Sequence, residues 1–130
     1  MDKMGFEPLG LEHIALQVRD QEAAQKFYIG ILGCEIYRIN PEVPLIQMRF
    51  GAHLIDLLPG GGAHSGRLKE GIHHFCLSIR CDDMSGLAAH LAAKGAKLEG
   101  EIRSQHGAYG ISQSLYLVDP DGYIVELKAR

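Results

Sequence analysis

The sequence predicts an α+β fold in which two βαβββ modules pair into a curved mixed sheet, and three observations carry that expectation. The 130-residue chain repeats itself: LEHIALQVRD at 11–20 is matched by IHHFCLSIRCDD at 72–83, and LIDLL at 54–58 by IVELK at 124–128. Each copy passes from alternating polar and apolar residues to helical spacing and back to alternation. A glycine-rich stretch of turn-forming composition, PGGGAHSG at 59–66, separates the copies. The length suits one domain, read as module one at about 9–59, a link at 60–70 and module two at about 71–130.

In order along the chain, residues 13–18 alternate, so that His13, Ala15 and Gln17 share one face of a strand and Ile14, Leu16 and Val18 the other. A helix starts after Asp20, a good N-cap, with Glu22 in the first turn where the helix dipole favours a negative charge. Ala24, Phe27, Tyr28, Ile31 and Leu32 form its apolar stripe, and Gly33 suits a left-handed stop. Residues 45–50 and 53–58 read as a hairpin turning at Gly51-Ala52. In module two, His74, Cys76 and Ser78 share one strand face. A second helix starts near Asp82 or Asp83, carries Leu87, Ala88, Leu91 and Ala92 inward, and stops at Gly95. A short strand is expected at 96–99, and a loop over the site, a candidate lid, at 101–111. Residues 114–118 and 123–128 form the last hairpin, closed by Asp119-Pro120-Asp121-Gly122, where proline pre-sets φ and glycine accepts a positive one.

Composition excludes several classes. The formal charge of −3 is spread without blocks of one sign, unlike the basic footprint of a nucleic-acid binder. No apolar run is long enough to span a bilayer. The first ten residues lack a signal-peptide layout, so a cytoplasmic protein is expected. Three cysteines, an odd number without a CxxC pair, argue against a disulfide framework or a cysteine zinc site. Seven histidines make imidazole the group to follow.

Superposing the two copies places His13 on His74 and Asp56 on Glu126. Paired modules would bring two imidazoles and two carboxylates to concave sheet faces, a ligand set for zinc, nickel, manganese or iron. Two histidines at equivalent places are harder to ascribe to chance than one. Strand parity sends His73 to the opposite face from His74. Gln17 and Cys76 share the faces of their histidines, and Gln47 and Tyr116 lie on the hairpins, so these four are candidate substrate contacts. Arg38, Arg49 and Arg103 are possible anchors for an anionic substrate. His53, His64, His90 and His106 have no such partners. Gly60 to Gly62 lack the continuation of a phosphate loop.

LEHIALQVRD followed by KFYIGILG, then GIHHFCLSI and YLVDPDGYIVEL, resembles the glyoxalase, bleomycin-resistance and extradiol dioxygenase proteins of the vicinal oxygen chelate superfamily, over nearly all of 8–129. The resemblance implies the paired βαβββ fold and one divalent metal ion held by His13, His74 and Glu126. It puts Asp56 where the lactoylglutathione lyase pattern has a fourth, glutamate ligand; one methylene shorter, Asp56 is a ligand, a base or neither. The implied activity is that of a glyoxalase-like lyase or isomerase acting on a small oxygen-chelating substrate, with glutathione or another thiol as candidate partner and Glu126 or Asp56 moving the proton. Such proteins are commonly homodimers. The family also contains fosfomycin-type epoxide opening, Fe(II) dioxygenases and, as a rival of another class, metal-free drug binders of the bleomycin-resistance kind.

Overall fold

A computed structural model describes residue 5 and residues 7–60 and 72–130. The glycine-rich link, apart from Gly60, lies outside the described residues, as does His64. Module one comprises β1 (His13–Val18), α1 (Gln21–Tyr28), β2 (Glu35–Asn40), β3 (Leu45–Phe50) and β4 (His53–Pro59); module two comprises β5 (Phe75–Ile79), α2 (Met84–Ala93), β6 (Lys97–Leu98), β7 (Arg103–Gly107), β8 (Gly110–Val118) and β9 (Ile124–Ala129).

Each module makes its own sheet. The order is β1-β4-β3-β2 in one and β5-β9-β8-β6 in the other, with β7 also on β8. The first strand of each module pairs in parallel with the last, β1 with β4 and β5 with β9, and the hairpins are antiparallel. The register makes the repeat concrete: Ala15 faces Asp56, which faces Gln47, while Cys76 faces Glu126, which faces Tyr116. The α+β plan of two paired βαβββ modules is as the sequence predicts; among the described residues each module contributes its own mixed sheet, and the two hydrogen-bond ladders stay distinct.

The helices start where the sequence places them. Asp20 accepts hydrogen bonds from the amides of Glu22 and Ala23, and Asp83 from that of Gly86, each satisfying amides that helix geometry leaves without a partner. Gly95 is left-handed, φ 94°, just past α2. α1 ends earlier than its stripe suggests. Residues 29–32 are turns that keep backbone bonds such as Ile31 N–H to Phe27 C=O, and Gly33, φ 78°, then reverses the chain. Ala24, Phe27 and Tyr28 are buried while Ile31 and Leu32 pack at the periphery.

The residues 101–111 are not a loop. From Arg103 on they form β7 and the start of β8, a hairpin whose tip is Ala108-Tyr109. Polar, glycine-containing sequence hid the pairing because β7 and the first four residues of β8 are largely exposed and carry only one large apolar residue, Ile111. β6 and β7 pair with successive parts of β8, so together they take the place that β2 has in module one.

One core spans both modules, including Leu16, Val18, Phe27, Met48, Ile55 and Leu57 from the first and Leu91, Leu115, Leu117, Val125 and Leu127 from the second. Polar ties cross the same boundary. The buried Tyr28 hydroxyl donates to Asp119 Oδ2 at 2.7 Å, the Arg19 amide donates to Asp121 Oδ1 at 2.9 Å, and the Tyr123 hydroxyl donates to the Gln17 carbonyl at 3.1 Å. No helix among the described residues is long and apolar enough to cross a membrane.

Candidate metal centre and substrate pocket

Each sheet presents one imidazole beside one buried carboxylate. His13 sits at the first position of β1 and half its side chain is exposed; its Nε2 lies 3.9 Å from Asp56 Oδ2. His74 precedes β5, and its Nε2 lies 3.1 Å from Glu126 Oε1. Asp56 and Glu126 are 5% and 6% exposed. Carboxylates so removed from water require partners, and both have them. Gln47 Nε2 reaches both oxygens of Asp56 at 3.2 Å, and Ser114 Oγ donates to Glu126 Oε2 at 2.6 Å. Glu126 therefore does face away from Val125 and Leu127, but into protein and pocket, not into solvent.

The other ring nitrogen of each histidine is also engaged. His13 Nδ1 lies 2.6 Å from Glu12 Oε1, and His74 Nδ1 lies 2.9 Å from His73 Nδ1. Holding Nδ1 leaves Nε2 aimed at the carboxylate, the orientation a metal-binding imidazole needs. His73 thus touches His74 directly, a neighbourly contact that strand parity alone did not suggest.

The remaining candidates divide between the halves. Gln47 belongs to the first: it holds Asp56 and in turn accepts from Arg38 Nε at 3.0 Å. Gln17 is exposed on the His13 face, opposite Leu58 in the register. Cys76 and Tyr116 flank Glu126 on either side. The Tyr116 ring is 6.0 Å from that of His74, its hydroxyl accepts from Gln105 Nε2 at 2.5 Å, and the Arg103 guanidinium lies 5.6 Å from its ring centre. Burial, then the Glu126 carboxylate, raises the Tyr116 phenol above its ordinary value. The same two causes, in the same order, push the Cys76 thiol up to about 11. Of the three arginines, Arg38 and Arg103 lie beside the two halves, whereas Arg49 stacks 4.6 Å over Tyr37.

Around His74, Cys76 and Glu126 lies a cavity of about 350 Å³, walled by Ser78, Lys128 and the β7–β8 hairpin tip. Ser114, Gln105 and Lys128 are not among the candidates legible in the sequence; the alternation of β8 and β9 carried a signal for two of them, since Lys128 follows Glu126 by two residues and shares its face, and Ser114 precedes Tyr116 by two. A larger groove of about 750 Å³ between α1 and the Asp119–Gly122 turn contains neither histidine–carboxylate pair.

Two nitrogen and two carboxylate donors, with oriented imidazoles, fit a divalent cation in kind. They do not gather in one copy of the chain. Among the described residues no three histidine, cysteine, aspartate or glutamate side chains are grouped closely enough to hold an ion; within one chain His13 and Asp56 form one pair and His74 and Glu126 another. Each parallel strand pair joins only its own module's histidine and carboxylate, so bringing the two pairs together depends on how one sheet stands against another.

The sequence model of the Glyoxalase/Bleomycin resistance protein/Dioxygenase superfamily matches residues 10–127. The chain is 32% identical over 131 residues to an ethylmalonyl-CoA/methylmalonyl-CoA epimerase of Cereibacter sphaeroides, covering 91% of this chain and 96% of the relative. It is 30% identical over 122 residues to biphenyl-2,3-diol 1,2-dioxygenase 3 of Rhodococcus globerulus; this takes in 91% of the chain but only 62% of the dioxygenase's length. It is 26% identical over 123 residues to a probable lactoylglutathione lyase of Vibrio parahaemolyticus, covering 88% of this chain and 86% of the lyase. In fold it matches a solved structure from the mobile metagenome of V. Pseudocholerae, with a TM-score of 0.79 and 24% identity over 95% of this chain and 96% of that one.

Proposed function

Because the chain belongs to the Glyoxalase/Bleomycin resistance protein/Dioxygenase superfamily, we propose that it is a divalent-metal-dependent lyase or isomerase that moves a proton on a carbon next to chelating oxygens. The observation that carries this reading is the duplicated pair of an oriented imidazole and a buried, hydrogen-bonded carboxylate, one on each sheet. An epimerase and a lactoylglutathione lyase among the relatives favour it. A bound cation would supply Lewis-acid stabilisation of the oxyanion that develops as the proton leaves.

The two carboxylates divide the work. Donors bound at about 2.1 Å to one ion lie about 3.0–3.4 Å apart at angles of 90–110°. His74 and Glu126, 3.1 Å apart, meet that spacing as co-ligands. His13 and Asp56, at 3.9 Å, exceed it. Glu126 is thus the ligand together with both histidines, and Asp56, held by Gln47 through both its oxygens, is the base that takes and returns the proton. Glu126 would serve in this second role only if it left the ion. Gln17, Cys76 and Tyr116 border the substrate. Glutathione or another thiol carrier is the leading partner class, as the names of the lyase and the epimerase both denote thiol derivatives.

The full centre forms between two copies, His13 and Asp56 from one and His74 and Glu126 from the other. Support comes from the separation of the pairs within a chain and from the apolar residues left exposed, among them Leu11, Ile36, Tyr37 and Ile39. A homodimer follows. The free thiols of Cys34, Cys76 and Cys81 suit a reducing compartment such as the cytoplasm.

Two measurements test the reading. Metal-loaded protein in D₂O should exchange the carbon-bound hydrogen of the methylglyoxal–glutathione hemithioacetal or of a 2-methylmalonyl thioester, with Asp56→Asn about 10²–10⁴-fold slower; absence of exchange on both sinks the proton-transfer assignment. Mixing His13→Ala with His74→Ala chains should restore about a quarter of the wild-type sites, because a mixed dimer rebuilds one intact centre. No restoration above either variant alone means that the centre is not shared. The dioxygenase relative supports a second reading, read out by oxygen uptake with a catechol and Fe(II).

A further inference from the structure

Two residues beyond Glu126, on the same face of β9, the strand carries an ammonium into the pocket. Lys128 is 9% exposed and lines the cavity beside His74, Cys76 and Glu126. Its Nζ donates to the Gly110 carbonyl at 3.0 Å and to the Ser112 hydroxyl, both uncharged, and no carboxylate pairs with it among the described residues. A buried ammonium with only neutral partners lacks the counter-charge that such a group calls for.

The repeat sharpens the point. In module two, Ser78 and Ser114 flank Lys128 in the register; in module one the equivalent place is Leu58, flanked by Gln17. The cation is therefore not required by the sheet architecture, which accepts leucine there. Its position is also fixed. A Cβ on Gly107 would fall 2.7 Å from Lys128 Cε and 3.0 Å from its Cδ, so the hairpin lies directly on the lysine stem.

We propose that Lys128 anchors a carboxylate of the substrate, so that this site takes small carboxylate-bearing molecules and turns away their neutral counterparts. The proposal rests on the reading of this cavity as the substrate pocket and narrows it to one substrate class. The missing counter-charge arrives with the substrate, and the Gly110 and Ser112 oxygens hold the ammonium in place before it does.

The experiment compares malonate with malonamide, a neutral analogue of similar size, by calorimetry at pH 7.5 on metal-loaded and metal-free protein. Wild type should bind malonate at least tenfold more tightly than malonamide with or without metal. In Lys128→Gln, which keeps a hydrogen-bond donor, and in Lys128→Met, that preference should fall by about tenfold, with metal content per chain unchanged. A preference equal in wild type and both variants overturns the proposal. Wild type alone gives a second measurement: malonate, and not malonamide, should protect Lys128 from reductive methylation, read by peptide mass spectrometry. Equal modification with both overturns it. Metal content reports on the metal reading separately. Metal-free protein with a Lys128-dependent malonate preference sinks that reading and keeps this one.

Discussion

Asp119 does more than open a turn. Its Oδ1 accepts the amides of Asp121 and Tyr123, at 2.8 and 2.9 Å, and its Oδ2 accepts the hydroxyl of Tyr28 from the other module. Burial holds its carboxyl above the usual range, outweighing the three hydrogen bonds that lower it. Asp119→Ala removes the acceptor from three buried donors and should cost about 2–4 kcal/mol in urea unfolding. Asp119→Asn keeps an acceptor and should cost less; equal losses would mean that the hydrogen bonds are not what matters. Cys76 gives a pH test. With its thiol at about 11 the reactive thiolate is scarce at neutral pH, and becomes commoner as pH rises. Peptide-resolved alkylation by iodoacetamide should be slow at pH 7 and quicken roughly tenfold per pH unit up to about pH 10. A rate that levels off near pH 8 would contradict this environment. At the same scale, the histidines and carboxylates of the candidate centre were legible in the sequence because the repeat aligned them. Gln47 as the holder of Asp56 and Ser114 as the holder of Glu126 were not, because pairing a side chain across strands requires the register.

Helix starts were legible because a cap is local. Asp20 accepts the amides of Glu22 and Ala23, so Asp20→Ala should lower stability by about 1 kcal/mol, measured by chemical denaturation, while Asp20→Ser should retain most of it. The β7–β8 hairpin was hidden for the opposite reason. β7 and the opening residues of β8 expose most of their side chains, so that stretch of sequence carries no apolar period. The hairpin also lies close against Lys128. Gly107→Ala forces the lysine stem aside, since the space a methyl needs is already occupied. The variant should weaken malonate binding severalfold while leaving the melting temperature within a few degrees of wild type. Unchanged binding would show that the hairpin does not set the lysine's position.

At the scale of the molecule, the two modules share a core and the Tyr28, Arg19 and Tyr123 ties, yet keep separate sheets and separate histidine–carboxylate pairs. If the centre is completed by a second copy, metal binding and association are linked. The melting temperature of metal-loaded protein should then rise with protein concentration, and a chelator should lower both it and the dimer fraction seen by sedimentation. Concentration-independent melting would argue for a monomeric working state.

The sequence by itself determined the duplicated βαβββ plan, the helix caps, the Asp119–Gly122 turn and the four side chains at equivalent strand ends, because periodicity, capping and repetition are properties of short segments and of their likeness to one another. Only the tertiary structure decided which groups meet: His13 with Asp56, His74 with Glu126, Lys128 beneath Gly107, and the two pairs held apart within one chain. Those meetings depend on strand register and on how one sheet stands against another, and both are fixed by contacts between residues far apart in the chain.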